Sequence, residues 1–238
     1  MKIKTNKFSS AFTLIELLVV IAIIAILAAF AVPALTSALT KGKMTGTMNN
    51  ARQLYIAQFQ MSNDGAATGD SQLGWPGDLI ANTTITAGSL QSYVSHLVGT
   101  GYLRAGDILK LLSAPGAQPT GTYVAGPPED LTLGGTSPAA LKVYPVLDAD
   151  PVSAIFCVTN NYVYDTAIVT GAVPYGQNGF VVVHKGGDAA IFRGPQAVMT
   201  TPPWADAITY QTQLGFKTGD TYGAAPTAGD PTGVLVFP

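Results

Sequence analysis

Apolar residues near the start of the chain run without the polar breaks of a helix that lies on a water-facing surface. Leu17 to Val32 is an unbroken run of sixteen, and the wider stretch Phe12 to Leu35 admits only Thr13, Glu16 and Pro33 as exceptions. Its 24 residues make a helix of about 36 Å at about 1.5 Å per residue, enough to cross a hydrocarbon layer of about 30 Å. Beyond it the pattern changes period. Leu39, Met44, Met48, Ala51 and Tyr55 recur at steps of three to five, so the helix is expected to continue as a rod with one face in a core and to end near Ser62, before the turn formers NDGAATGD. Gly42 and Gly46 weaken it locally, and Pro33 predicts a kink or local melting.

Further along, Ser89 caps a predicted short helix with apolar positions Leu90, Tyr93, Val94, Leu97 and Val98, and a second helix is predicted over 105–112. After the Gly- and Pro-rich region 114–138 come strand-like runs: ALKVYPVL, SAIFCVT, YVYDTAIV and GFVVVHKGGDAAIFRG, the last a hairpin turning at Gly186 and Gly187. Residues 195–238 suggest surface loops, with a final strand over 234–237.

Composition narrows the chemistry. The 238 residues carry a formal charge of -2 and no basic excess, so nothing points to nucleic acid. Cys157 is the sole cysteine, which excludes an internal disulfide, a cysteine zinc cluster and a CxxC redox pair. It suits a buried strand. The two histidines, His96 and His184, suit structural or solvated roles, and no GxSxG, HExxH or phosphate-binding loop occurs. Asn82-Thr83-Thr84 fits a glycosylation sequon.

Glu16 is the anomaly. The chain has two glutamates, Glu16 and Glu129, and the first sits near the cytoplasmic end of the apolar segment, where part of the penalty of about 2.5–3.5 kcal/mol for a charge at a helix centre in lipid is relieved. It lies on the same helical face as Phe12, four residues earlier. If the chain is cut between Ala11 and Phe12, the new α-amino group supplies a counter-charge. A secretory signal peptide would share the basic start Lys2, Lys4 and Lys7 and a small-residue site near Ala28 to Ala31. Its apolar run, however, would reach only about 7–15 residues. A plain membrane anchor explains the length and the lysines and leaves Glu16 unexplained.

AFTLIELLVVIAIIAILAAFAVPAL behind a lysine-bearing leader resembles the amino terminus of prepilins, the type IV pilins and the pseudopilins of type II secretion systems. The resemblance covers about the first fifth of the chain. Alanine stands at position 11, where the family usually has glycine.

The resemblance implies prepilin-peptidase cleavage between Ala11 and Phe12, N-methylation of Phe12, a role in filament assembly for Glu16 and a helix bend at Pro33. It implies an α+β, pilin-like fold: a long N-terminal α-helix, half transmembrane and half packed on the head, with a globular antiparallel β-sheet domain. The expected organisation is a cleaved leader 1–11, a transmembrane and filament-core helix 12–35 and a periplasmic or extracellular head 36–238. Expected partners are identical or homologous filament subunits, the prepilin peptidase, an inner-membrane assembly platform and, before assembly, lipid. Expected localisation is a single pass through the inner membrane with the N-terminus cytoplasmic, in keeping with three lysines before the helix and Lys41 and Lys43 after it, and then a periplasmic or cell-surface filament. Removing the leader would leave nine basic and fourteen acidic side chains.

Many type IV pilins close a carboxy-terminal loop with two cysteines, and their absence here points toward the pseudopilin side. Some pseudopilins bind calcium in that region. Asp148 and Asp150, on one side of an extended segment, are therefore calcium candidates together with Asp206, Asp220 and Asp230. The alternative from a different class is a membrane-anchored periplasmic binding module or enzyme that uses the helix only as an anchor.

Overall fold

Helix α1 spans Leu14–Thr68, and it remains helical through Pro33. The local melting expected there does not occur in this structure, a computed structural model that describes residues 13–237 except 125 and 127. The chain divides into two compact units, Met1–Lys41 and Gly42–Pro238. In the first, every large apolar side chain from Leu14 to Leu39 is exposed by about half or more of its surface.

In the second unit the inner face of α1 carries Met44, Thr47, Ala51, Leu54, Gln58 and Met61, all buried. Their steps of three and four put them on one stripe. The predicted face is therefore right in outline, with Met48 half-buried and Leu39 exposed. The helix overruns its predicted end near Ser62 by six residues, to Thr68. Gly65 explains this, because a Cβ there would lie 1.9 Å from the Leu73 carbonyl oxygen, so the last turns are pressed against the returning chain. Gly69, at φ 72°, then ends the helix.

Short helices follow: α2 (Pro76–Ala81), α3 (Leu90–Gly99) and α4 (Ala105–Leu111). Ser89 accepts from the Ser92 amide at 3.1 Å, as predicted for an N-cap. The Gly- and Pro-rich region holds a hairpin that was not predicted, β1 (Thr120–Val124) with β2 (Asp130–Gly134). The Gln91 side chain of α3 donates to the Leu131 carbonyl and accepts from the Leu133 amide, as a neighbouring strand would.

The main sheet is antiparallel in the order β3 (Leu141–Val143), β4 (Ile155–Thr159), β5 (Phe180–His184), β6 (Ala189–Phe192). Pro145 follows β3 closely and keeps that strand short. Strands β4 and β5 are buried along their whole length, so both faces of the sheet are covered. Phe156 meets Tyr55 of α1 and Trp75 edge-on at 5.8 and 6.2 Å, and Phe180 stacks on Tyr162 at 4.1 Å. The predicted hairpin forms between β5 and β6 with Gly187 at φ 88°.

YVYDTAIV is not a strand. Asp165 turns the chain at φ 51°, and the tyrosines are held by their hydroxyls instead of by a ladder. Tyr162 meets the Tyr210 hydroxyl at 2.9 Å, and Tyr164 donates to the Gly215 carbonyl at 3.0 Å. The carboxy-terminal region includes a helix that was not predicted, α5 (Ala207–Gln213). The final strand is reduced to bridges, in which Leu235 exchanges backbone hydrogen bonds with Val143 at 2.8 and 3.0 Å.

Candidate functional site

At the start of α1 the sequence Thr13-Leu14-Ile15-Glu16 folds as a reciprocal cap. The Glu16 amide donates to the Thr13 hydroxyl oxygen at 3.3 Å, while Glu16 Oε2 accepts from the Thr13 amide at 2.9 Å and from its hydroxyl at 2.7 Å. A threonine followed three residues later by glutamate is the capping-box signature, and each side chain satisfies a donor that the helix itself leaves orphaned. A negative group in the first turn also suits the positive end of the helix dipole. Reading the site as one carboxylate awaiting an amine missed Thr13, although the T-x-x-E spacing was visible. Ile15, Glu16, Val19 and Val20 line a shallow hollow on the exposed helix surface.

Glu129, the second glutamate, also serves a helix start, accepting from the Ala105 amide of α4 at 2.9 Å. Ala11 and Phe12, the residues flanking the expected cut, lie outside the described residues. Pro33 lies inside α1. By length and composition α1 is apolar enough to cross a membrane.

The five calcium candidates are not brought together. Among the described residues no three Asp, Glu, His or Cys side chains cluster to hold a metal ion. The carboxylates of Asp150, Asp206, Asp220 and Asp230 already have protein partners, whereas Asp148 is held through its backbone. Asp206 caps α5 by accepting from the Thr209 amide at 2.7 Å, and Asp150 accepts from the Leu147 amide and the Thr218 hydroxyl at 2.9 and 2.7 Å. The Asp148 amide donates to Asp78 at 2.9 Å. Burial raises the Asp78 carboxyl above the ordinary range.

The cations at these loops are lysines. The Lys185 ammonium donates to the carbonyls of Asp148 and, at 2.9 Å, Asp150, and lies 5.4 Å from the centre of the Trp75 ring. Lys217 pairs with Asp220 at 3.3 Å and donates to the Gly229 carbonyl at 3.1 Å. Lys142 of β3, 2% exposed, pairs with Asp230, whose other oxygen accepts from the Tyr144 hydroxyl at 2.6 Å. Burial lowers the affinity of Lys142 for its proton, and Asp230 opposes that shift. Of these contacts the Lys142–Asp230 pair, with the Tyr144 hydroxyl, ties the carboxy-terminal segment to the sheet in a chain that cannot form an internal disulfide.

The histidines have structural partners. His96 Nε2 meets the Gln72 carbonyl at 2.8 Å, and buried His184 lies between Asp188 at 2.5 Å and the Leu214 carbonyl at 2.8 Å. Burial raises the Cys157 thiol far above the ordinary range, which makes it inert.

Residues 6–32 match the family model described as the prokaryotic N-terminal methylation motif. The chain is also 34% identical over 137 residues to a type IV major fimbrial protein, FimA, of Dichelobacter nodosus, a match that spans 58% of this chain and 79% of the relative. No solved structure matches. With a helix of this kind ahead of an antiparallel sheet, and a relative matched over most of its length, the chain belongs to the type IV pilin family.

Proposed function

We propose that the chain is a non-enzymatic structural subunit of a type IV pilus-like filament, made as a membrane-inserted precursor. In this reading the leader 1–11 is cut off between Ala11 and Phe12 by a prepilin peptidase, and Phe12 is N-methylated. The helix 12–35 first spans the inner membrane and then forms the filament core, with Pro33 supplying a bend. Residues 36–238 stay outside the cytoplasm, and an inner-membrane platform passes subunits into the fibre. The observation that carries this reading is the apolar flank of α1 from Leu14 to Leu39, which lies open along its whole length behind a capped acid. Such a surface needs lipid or other helices of the same kind.

Glu16 has a definite part in this. With Oε2 held by Thr13, we assign Oε1 to the Phe12 amine of the same or a neighbouring subunit. A subunit out of register leaves that charge unpaired in a dry core, at a cost of about 3–5 kcal/mol. Between a surface fibre and a secretion pseudopilus, the description of the relative as a major fimbrial protein supports the fibre. It also weighs against an anchored enzyme or binding module.

Two measurements test the proposal. Intact mass of the membrane-extracted protein should give a chain that starts at Phe12 with one added methyl, and a chain retaining Met1 in a host with the peptidase would refute processing. Glu16→Ala should insert into the membrane and leave the filament fraction empty. Wild-type filament yield from that variant would remove the role assigned to the carboxylate.

A further inference from the structure

The outer face of α1 in the second unit is not a plain solvated surface. Thr45, Asn49, Arg52, Ile56, Phe59 and Asn63 recur at alternating steps of four and three and are all exposed. On one helix this makes a single stripe. Ile56 is 52% exposed and Phe59 42%, so two large apolar side chains stand open beside a guanidinium, within a rim of amides that includes Gln53 and Gln60. Arg52 makes no ion pair among the described residues. Aromatic and arginine side chains at the centre with a polar rim are the anatomy of a protein contact.

The distribution of charge identifies the partner. From Gly42 to Met61 the helix carries Lys43 and Arg52 and no acid, whereas residues 62–238 carry thirteen acids against six bases. Two of those bases, Lys142 and Lys217, are already spent on Asp230 and Asp220 inside the head. Lys43 lies on the other side of the helix, so the strip itself carries a single charge, the Arg52 cation, unpaired among the described residues, while the rest of the head is acidic.

We infer that the Arg52, Ile56 and Phe59 strip is a docking surface for the acidic head of a second copy of this chain. The inference rests on the filament reading and adds a contact outside the apolar helix core. Because the two surfaces differ, the contact is heterologous, the kind that builds an open helical array when its rotation does not close, as the filament reading requires. Opposite charges set the orientation and speed of the encounter, and the apolar pair excludes water once the surfaces meet.

The double variant Arg52→Glu/Ile56→Gln tests this in cells that assemble the unaltered chain, since both side chains are exposed and neither supports the fold. The membrane pool and near-ultraviolet circular dichroism should match the unaltered protein, while sheared filament falls at least about tenfold. Arg52→Lys should keep most of the yield. A photoactivatable benzoylphenylalanine in place of Gln53 should give a crosslinked dimer joined to a segment within residues 62–237. Unchanged filament yield from the double variant overturns the inference while leaving the filament reading intact, and so does a crosslink to lipid or to a different protein. If the unaltered chain itself forms no filament, the filament reading falls, and this inference with it.

Discussion

Asp230→Ala offers a direct measure of how the carboxy-terminal segment is held. Lys142 is 2% exposed and Asp230 19%, so removing the carboxylate leaves an ammonium shut inside the sheet without a counter-charge. Breaking a buried pair from one side costs about 3–5 kcal/mol. The Tyr144 hydroxyl also loses its acceptor, which costs about 1–3 kcal/mol more if nothing replaces it. The second variant, Lys142→Met/Asp230→Ala, removes the stranded charge and leaves only the tyrosine's share. It should therefore be more stable than Asp230→Ala alone, although it carries one more substitution. The assay is denaturant unfolding of the detergent-extracted full chain, followed by the fluorescence of buried Trp75 and Trp204. Linkage gives a second check. Burial lowers the proton affinity of Lys142 in the folded state, and without Asp230 nothing opposes it. The folded variant then binds fewer protons than the unfolded chain, so its stability deficit, full at neutral pH, narrows as pH rises toward the ordinary lysine value of about 10.4. A loss below about 1 kcal/mol for Asp230→Ala, or a double variant no more stable than the single, would refute the view that this pair is buried and coupled.

Three other outcomes follow from the geometry. Gly65→Ala should destabilise the chain by about 1–3 kcal/mol through overpacking against Leu73, although glycine to alanine inside a helix ordinarily stabilises by about 1 kcal/mol, so the sign of the change in unfolding free energy decides. Thr13→Val, which keeps the shape and removes the hydroxyl, should cost the start of α1 about 0.5–2 kcal/mol, read as faster amide exchange over 14–18 in detergent micelles. Cys157 should resist a water-soluble thiol reagent in the folded chain and react at once in denaturant, and rapid labelling of the native chain would contradict its burial.

What was legible beforehand, and what was not, divides by how local the cause is. The apolar run of α1, the Ser89 cap and the Gly186-Gly187 hairpin depend on neighbours within a few residues, and these agree with the structure. The end of α1 depends on Leu73 pressing on Gly65, a contact outside the helix, and it was placed six residues short. YVYDTAIV has the composition of a strand, but its tyrosines are anchored by Ala197, Tyr210 and Gly215, far along the chain. The aspartates drew attention as possible metal ligands because acid pairs stand out in a sequence. Their partners Lys142 and Lys185 lie far from them along the chain, and Lys142 sits inside an otherwise apolar strand. At the start of α1 the acid was conspicuous and its threonine was not, since threonine in a long apolar segment passes for a tolerated polar residue.

That threonine alters the life of a subunit before it is recruited. A carboxylate that already receives the amide and the hydroxyl of Thr13 is not stranded while the chain sits alone in lipid, so an idle molecule can be stored there without a companion. On the filament reading, recruitment then adds an amine at Oε1 to a carboxylate whose Oε2 is already satisfied, instead of rescuing a bare charge. An added contact of that kind gives a smaller driving force than neutralising a bare charge would, so filling the fibre depends on the concentration of stored chains.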